Sequence, residues 1–119
     1  MAVLRIVADL RSDDPGGRAA FYQDLLGMET AMDMGWIVTL KGAGEQTPQI
    51  SFASTGGSGA PTPDLSIEVD DLDDVLARAR QMNAEIEYGP VTEPWGVRRF
   101  FVRDPAGALL NILTHQTED

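Results

Sequence analysis

Apolar residues along this chain switch between two spacings, and they do so twice in the same order. Val3 to Ala8 is a short apolar run that reads as a strand. Asp13-Asp14-Pro15 then supplies an acidic N-cap with proline at the first helical position. Phe21, Tyr22, Leu25 and Leu26 fall at helical spacing, and Gly27 stops the helix. Three strands are expected next, Glu29 to Met34, Trp36 to Lys41 and Gln49 to Ala53. Gly35 and the Gly42-Ala43-Gly44 stretch separate them.

Ser54 to Pro63 is rich in Gly, Ser and Pro and reads as a flexible linker, roughly 17 Å across as a coil. The pattern then restarts. Asp64 to Val69 alternates as a strand. Asp70 or Asp71 caps a helix whose Leu72, Val75, Leu76, Ala79 and Met82 make one apolar stripe. Asn83 is a left-handed stop. Strands are expected near Glu85 to Tyr88, Val97 to Arg103 and Ala108 to Thr114. Both halves read β-α-β-β-β, about 2–53 and 64–115, within a single domain. The repeat lies in the order of elements more than in the letters.

Composition narrows the chemistry. The chain has 119 residues and no cysteine, which removes disulfides, thiolate metal sites and cysteine nucleophiles. No apolar run reaches the 18 or so residues that span a bilayer, and the first residues lack a signal-peptide layout. The expected location is therefore the cytoplasm. Nine basic residues oppose nineteen acidic ones, a net charge of −10. That charge repels a phosphate backbone, so nucleic acid is not an expected partner. It reads either as a solvated acidic surface or as a field that draws a cationic ligand. The scatter of the acids favours the first.

Three ordered segments carry a family resemblance. Ala19-Ala20-Phe21-Tyr22-Gln23-Asp24-Leu25-Leu26-Gly27, Leu65 to Asp73 (Leu-Ser-Ile-Glu-Val-Asp-Asp-Leu-Asp) and the Asp104-Pro105-Ala106-Gly107 turn resemble the vicinal oxygen chelate superfamily. That superfamily holds glyoxalases, extradiol dioxygenases and bleomycin-resistance proteins. The stretch Trp95-Gly96-Val97-Arg98-Arg99-Phe100 before the turn looks most like the antibiotic-binding branch. The resemblance implies an α+β fold: two βαβββ modules, a curled eight-stranded mixed sheet and helices on its outer face. It also implies a ligand trough and homodimers. Alternation then assigns faces in Asp64 to Val69 and in the last strand, and the resemblance implies them for Val97 to Arg103. Leu65, Ile67, Val69, Phe100, Val102, Leu110 and Ile112 are expected under helix. Asp64, Ser66, Glu68, Arg99, Phe101, Arg103, Leu109, Asn111 and Leu113 are expected in the trough.

Metal-dependent relatives place histidine, glutamine or glutamate on the first and last strands of each module. The comparable positions here carry Val7, Asp64 and Asn111, with Gln49 or Ser51 as the fourth choice. Valine cannot ligate, and asparagine is a weak neutral donor. The expectation is no metal and no cofactor. His115, the only histidine, reads as a rim residue or as an acid–base group at the trough mouth.

What remains is binding, or acid–base chemistry without a metal. Trp36, Phe52, Trp95 and Phe101 are candidate ligand-facing aromatics, or simply packing residues. Glu68 is a candidate general base, or else pairs with Arg99 or Arg103. An inward Arg99 or Arg103 would instead hold a carboxylate. Asp64, Asn111 and His115 complete the candidate ligand set. Two readings stand: a metal-independent protein that binds a planar or cationic small molecule, and a small lyase, isomerase or dioxygenase.

Overall fold

The computed structural model describes residues 2–44 and 48–116. Eight strands and two helices follow one another as β1 (Val3–Arg11), α1 (Pro15–Leu26), β2 (Glu29–Asp33), β3 (Ile37–Lys41), β4 (Gln49–Ala53), β5 (Leu65–Val69), α2 (Leu72–Gln81), β6 (Ile86–Thr92), β7 (Val97–Arg103) and β8 (Leu109–His115). The α+β class and the doubled β-α-β-β-β order are those expected. Two strands run longer than expected: β1 goes three residues past Ala8 to Arg11, and β6 goes four residues past Tyr88 to Thr92.

The chain forms two compact units. The N-terminal one is Val7–Thr62; the C-terminal one begins at Pro63 and takes in the start of β1 as far as Ile6. In the N-terminal unit β1 pairs with β4 in parallel, β4 with β3 and β3 with β2 antiparallel. Asp14 caps α1 by accepting the Gly17 N–H at 3.1 Å, Pro15 opens the helix, and Gly27 closes it at φ 68°. Ala19 packs with Val38, Leu40 and Phe52, and Tyr22 joins them. Of the four apolar residues at helical spacing only Tyr22 packs inward, beside buried Pro15 and Ala19. Phe21, Leu25 and Leu26 are more than 60% exposed.

In the C-terminal unit β5 pairs with β8 in parallel, and β8, β7 and β6 are antiparallel neighbours. Asp71 caps α2 by accepting the Asp74 N–H at 3.1 Å. Asp73 and Asp74 sit in its first turn, and Arg78 and Arg80 in its last, matching the helix dipole at both ends. Leu72, Leu76 and Ala79 pack on Val69, Phe100, Val102 and Ile112. Met82, expected in this stripe, is 76% exposed because the helix has ended at Gln81.

Comparing the two units' registers shows how far the repeat extends. Asp9 pairs with Ser51 on β1 and β4; Ser66 pairs with Asn111 on β5 and β8. The next strand in each unit adds Thr39 beside Ser51 and Phe101 beside Asn111. The helix-facing pairs Val38–Phe52 and Phe100–Ile112 match in the same way. The duplicated backbone therefore carries two different rows on the face away from the helix.

The segment after β4 is an ordered turn, not a flexible coil. Gly56 N–H donates to the Ala60 carbonyl at 2.8 Å, and Ala60 N–H to Gly57 at 2.9 Å. Gly56, Gly57 and Ala60 are buried. A Cβ on Gly56 would stand 2.0 Å from the Pro61 carbonyl oxygen, so the turn demands glycine there.

Candidate functional site

In the C-terminal unit, strand alternation puts Ser66 and Glu68 of β5, Asn111 and Leu113 of β8, and Arg99 and Phe101 of β7 on the face away from α2. Asn111 lies at the middle of that face. Its Nδ2 donates to Ser66 Oγ at 3.0 Å. Its Oδ1 is buried and has no hydrogen-bond partner among the described residues. The residue as a whole is 7% exposed. A buried carbonyl left unmatched costs about 1–3 kcal/mol, so an orphan of this kind needs an explanation.

Asp64, one step before Ser66 on the same face, is exposed and engaged. Its Oδ2 accepts the Leu109 N–H at 2.8 Å, while its own N–H donates to the Leu109 carbonyl at 2.8 Å. The carboxylate thus fixes the start of β8.

Arg99 and Glu93 form a buried ion pair that composition and spacing did not reveal. Both are under 5% exposed. Arg99 Nε and Nη2 approach the same carboxylate oxygen, Glu93 Oε2, at 2.8 and 2.5 Å. Tyr88 Oη donates to that oxygen at 3.0 Å. The rings of Phe101, Trp95 and Tyr88 lie 4.8, 5.0 and 5.2 Å from the guanidinium carbon, within cation–π range. A tight turn places Trp95. Pro94 and Trp95 are its central residues, Gly96 follows at φ 93°, and Glu93 N–H donates to the Val97 carbonyl at 2.7 Å. Arg99, expected to hold a substrate carboxylate, is here held by Glu93 and ringed by three aromatic side chains. Trp95, half-buried, is a wall of the same box. Phe101 is fully buried, so its ring packs against Arg99.

Glu68 does not pair with Arg99 or Arg103. Its Oε2 lies 2.5 Å from His115 Nδ1, and its Oε1 is 3.4 Å from Arg5 Nε. The glutamate side chain is 19% exposed and the histidine 54%, so the pair stands at the rim. Arg103 instead grips Glu87 at 2.6 and 3.1 Å and donates to the Gly107 carbonyl at 2.8 Å. That hydrogen bond and the adjacent positive charge hold the Glu87 carboxyl below its ordinary value of 4.5, and the same partner raises Arg103.

Two further candidates belong to the N-terminal unit. Phe52 is fully buried under α1, its ring 4.8 Å from that of Tyr22, so it is a core residue. Trp36 is half-buried in the turn before β3, where its carbonyl accepts the Ser54 N–H at 2.9 Å. This unit's own row away from the helix is polar and buried: Asp9 at 7%, Ser51 at 3% and Thr39 at 6% exposure. The hydroxyls of Thr39 and Ser51 are 2.7 Å apart. Alternation from Val7 would have found Asp9 two residues on.

The donor sets do not suit a divalent ion. In the N-terminal unit the expected positions are Val7, with no donor atom, and Gln49 or Ser51, both neutral, the Ser51 hydroxyl already bonded to Thr39. In the C-terminal unit Asn111 is neutral and Asp64 is tied to Leu109. Among the described residues no three of His, Cys, Asp and Glu gather in a metal-binding group.

Solved structures share this architecture at low identity. A glyoxalase/bleomycin resistance protein/dioxygenase superfamily member from Vibrio splendidus is 18% identical, with a TM-score of 0.69 over 95% of this chain and 99% of that one. The methylmalonyl-CoA epimerase of Streptomyces coelicolor, in its Q60A form, is 16% identical, with a TM-score of 0.71 over 98% and 100%. A Legionella pneumophila protein described as an NAD-dependent benzaldehyde dehydrogenase is 15% identical, with a TM-score of 0.77 over 94% and 100%. These likenesses show the fold. No curated protein matches the chain significantly. The Glyoxalase/Bleomycin resistance protein/Dioxygenase model matches residues 4–112, and the chain belongs to that superfamily.

Proposed function

We propose that this protein binds a small molecule without a metal, on the face of the C-terminal sheet that carries Asn111. The observation behind this reading is the unmatched Asn111 Oδ1, held in place by Ser66. A ligand that presents an N–H or O–H there removes the penalty of the buried acceptor. A bare acceptor suits a ligand with N–H donors such as an amine, and half-buried Trp95 offers a planar one an aromatic edge. Titrating planar amines into the purified protein, followed by tryptophan fluorescence and calorimetry, tests the reading. The expected result is saturable binding that is lost in Asn111→Leu and unaffected by chelators. Turnover that depends on stoichiometric nickel, zinc or iron would overturn it.

The Glu68–His115 approach favours a second reading, proton transfer at a bound carbon acid. Deuterium uptake from heavy water into a panel of carbon acids, abolished in Glu68→Gln, would support it.

The proposal includes a cytoplasmic setting and pairing of two copies. The exposed apolar side chains of Phe21, Leu25 and Leu26 support pairing. Sedimentation of the wild type and of Phe21→Asp tests that part. No helix among the described residues is long and apolar enough to cross a membrane.

A further inference from the structure

The apolar stripe of α2 changes size along its length. Leu72 and Leu76 fill the space over the sheet at the helix start, but the last turn offers only Ala79. Met82 swings outward, Asn83 turns left-handed at φ 55°, and the chain returns through Ala84. A groove of about 610 Å³ is left between the helix end and the β7–β8 hairpin. Its floor includes Phe100, Val102, Leu110 and Ile112, which alternate with Asn111 and so lie on the opposite side of the sheet from it. This volume is within the range of small-molecule pockets, and predominantly apolar walls are typical of them.

The lip is charged, and its charges do not cancel. Arg78, Arg103, Glu85 and Asp104 all border the groove. Arg78 is matched by Asp74 at 3.3 Å and Arg103 by Glu87 at 2.6 Å. Neither Glu85 nor Asp104 forms an ion pair with a basic side chain among the described residues. Asp104 spends Oδ1 on the N–H groups of Ala106 and Ala108, both at 2.9 Å, and those bonds hold it at the lip. Arg103 feels the Glu85 charge from a distance but spends its own hydrogen bonds on Glu87 and Gly107. An apolar slot edged by two carboxylates that make no direct ion pair complements a molecule with an apolar body and one positive charge.

We propose that this groove is a second binding site, which takes hydrophobic organic amines of aromatic or branched aliphatic body. The apolar part lies against Val75, Ala84 and Leu110, the half-buried members of the lining, and the ammonium meets Glu85 and Asp104. Exposed Met82, unbranched and polarizable, adapts the mouth to different bodies.

The test is a methyl-resolved NMR titration of the full chain with 1-naphthylmethylammonium, and with 1-naphthylacetate as a body-matched anion. The expected result is saturable shifts at the Ala79, Met82 and Ala84 methyls with the amine, and affinity at least about tenfold weaker for the anion. Glu85→Gln, a change at an exposed position, should weaken the amine about fivefold, the upper end of a surface charge pair. Ala79→Leu or Ala84→Leu, whichever keeps a folded spectrum, should abolish binding by filling the slot. No saturable shift at these methyls would overturn the proposal. Equal affinity for amine and anion would overturn the charge assignment. Shifts that appear with protein concentration alone would show that a second copy occupies the groove, and would overturn it too.

Discussion

Arg99 places two nitrogens on one oxygen of Glu93, at 2.8 and 2.5 Å, with both side chains almost wholly out of water. The geometry is complete only while both partners are present. Arg99→Ala or Glu93→Ala leaves an uncompensated buried charge and is expected to cost about 3–5 kcal/mol. Arg99→Lys is also expected to destabilise, because an ammonium cannot supply the paired Nε and Nη2 donors. Chemical denaturation of the three variants checks this. Loss of under 1 kcal/mol in all three would show that the pair is dispensable.

Asn111 makes the opposite prediction. Leucine at this position removes an acceptor that nothing satisfies and keeps the volume similar. In the absence of ligand, Asn111→Leu is expected to be neutral or to stabilise by up to about 2 kcal/mol. Urea unfolding without ligand measures it. A loss of stability would mean that the Ser66 hydrogen bond outweighs the orphan oxygen.

Glu87 and Arg103 give a pH dependence with a definite sign. The folded carboxyl titrates below 4.5, so the pair contributes stability above that pH. The contribution is lost as pH falls through the folded value. Comparing unfolding of wild type and Glu87→Gln between pH 7 and pH 3 checks it: the gap should narrow on acidification. A gap that widens would reverse the assignment.

Gly89 sits at φ 78°, and a Cβ there would stand 2.6 Å from the Arg99 carbonyl oxygen. Gly89→Ala should therefore displace β6 from β7 and destabilise by several times the ~0.5 kcal/mol that bounds an ordinary exposed substitution. Amide hydrogen exchange should show the loss first in β6.

The order of elements was readable because strands and helices use different apolar spacings, as Leu65, Ile67 and Val69 and then Leu72 and Leu76 show. The inner face of α1 was less readable. Its sequence holds two stripes, and the bulkier one, Phe21 with Leu25, is the exposed one. Met82 misled because the helix stops one residue short of it. In the site, alternation placed Ser66, Glu68 and Asn111 on one face, and the family resemblance added Arg99. It could not choose partners. Glu68 takes His115 and Arg5, while Arg99 takes Glu93, six positions back across a hairpin. Partners were illegible because they depend on turn geometry and strand register, and a composition-level reading contains neither.

The matched registers bear on how such a chain changes over time. Residues that hold each helix down and residues that greet the opposite side alternate along every strand. Rewriting Asp9, Ser51 and Thr39, or Ser66, Asn111 and Phe101, thus leaves the neighbouring anchors untouched. A copied scaffold of this kind can acquire a new selectivity in one copy while the other keeps the old one.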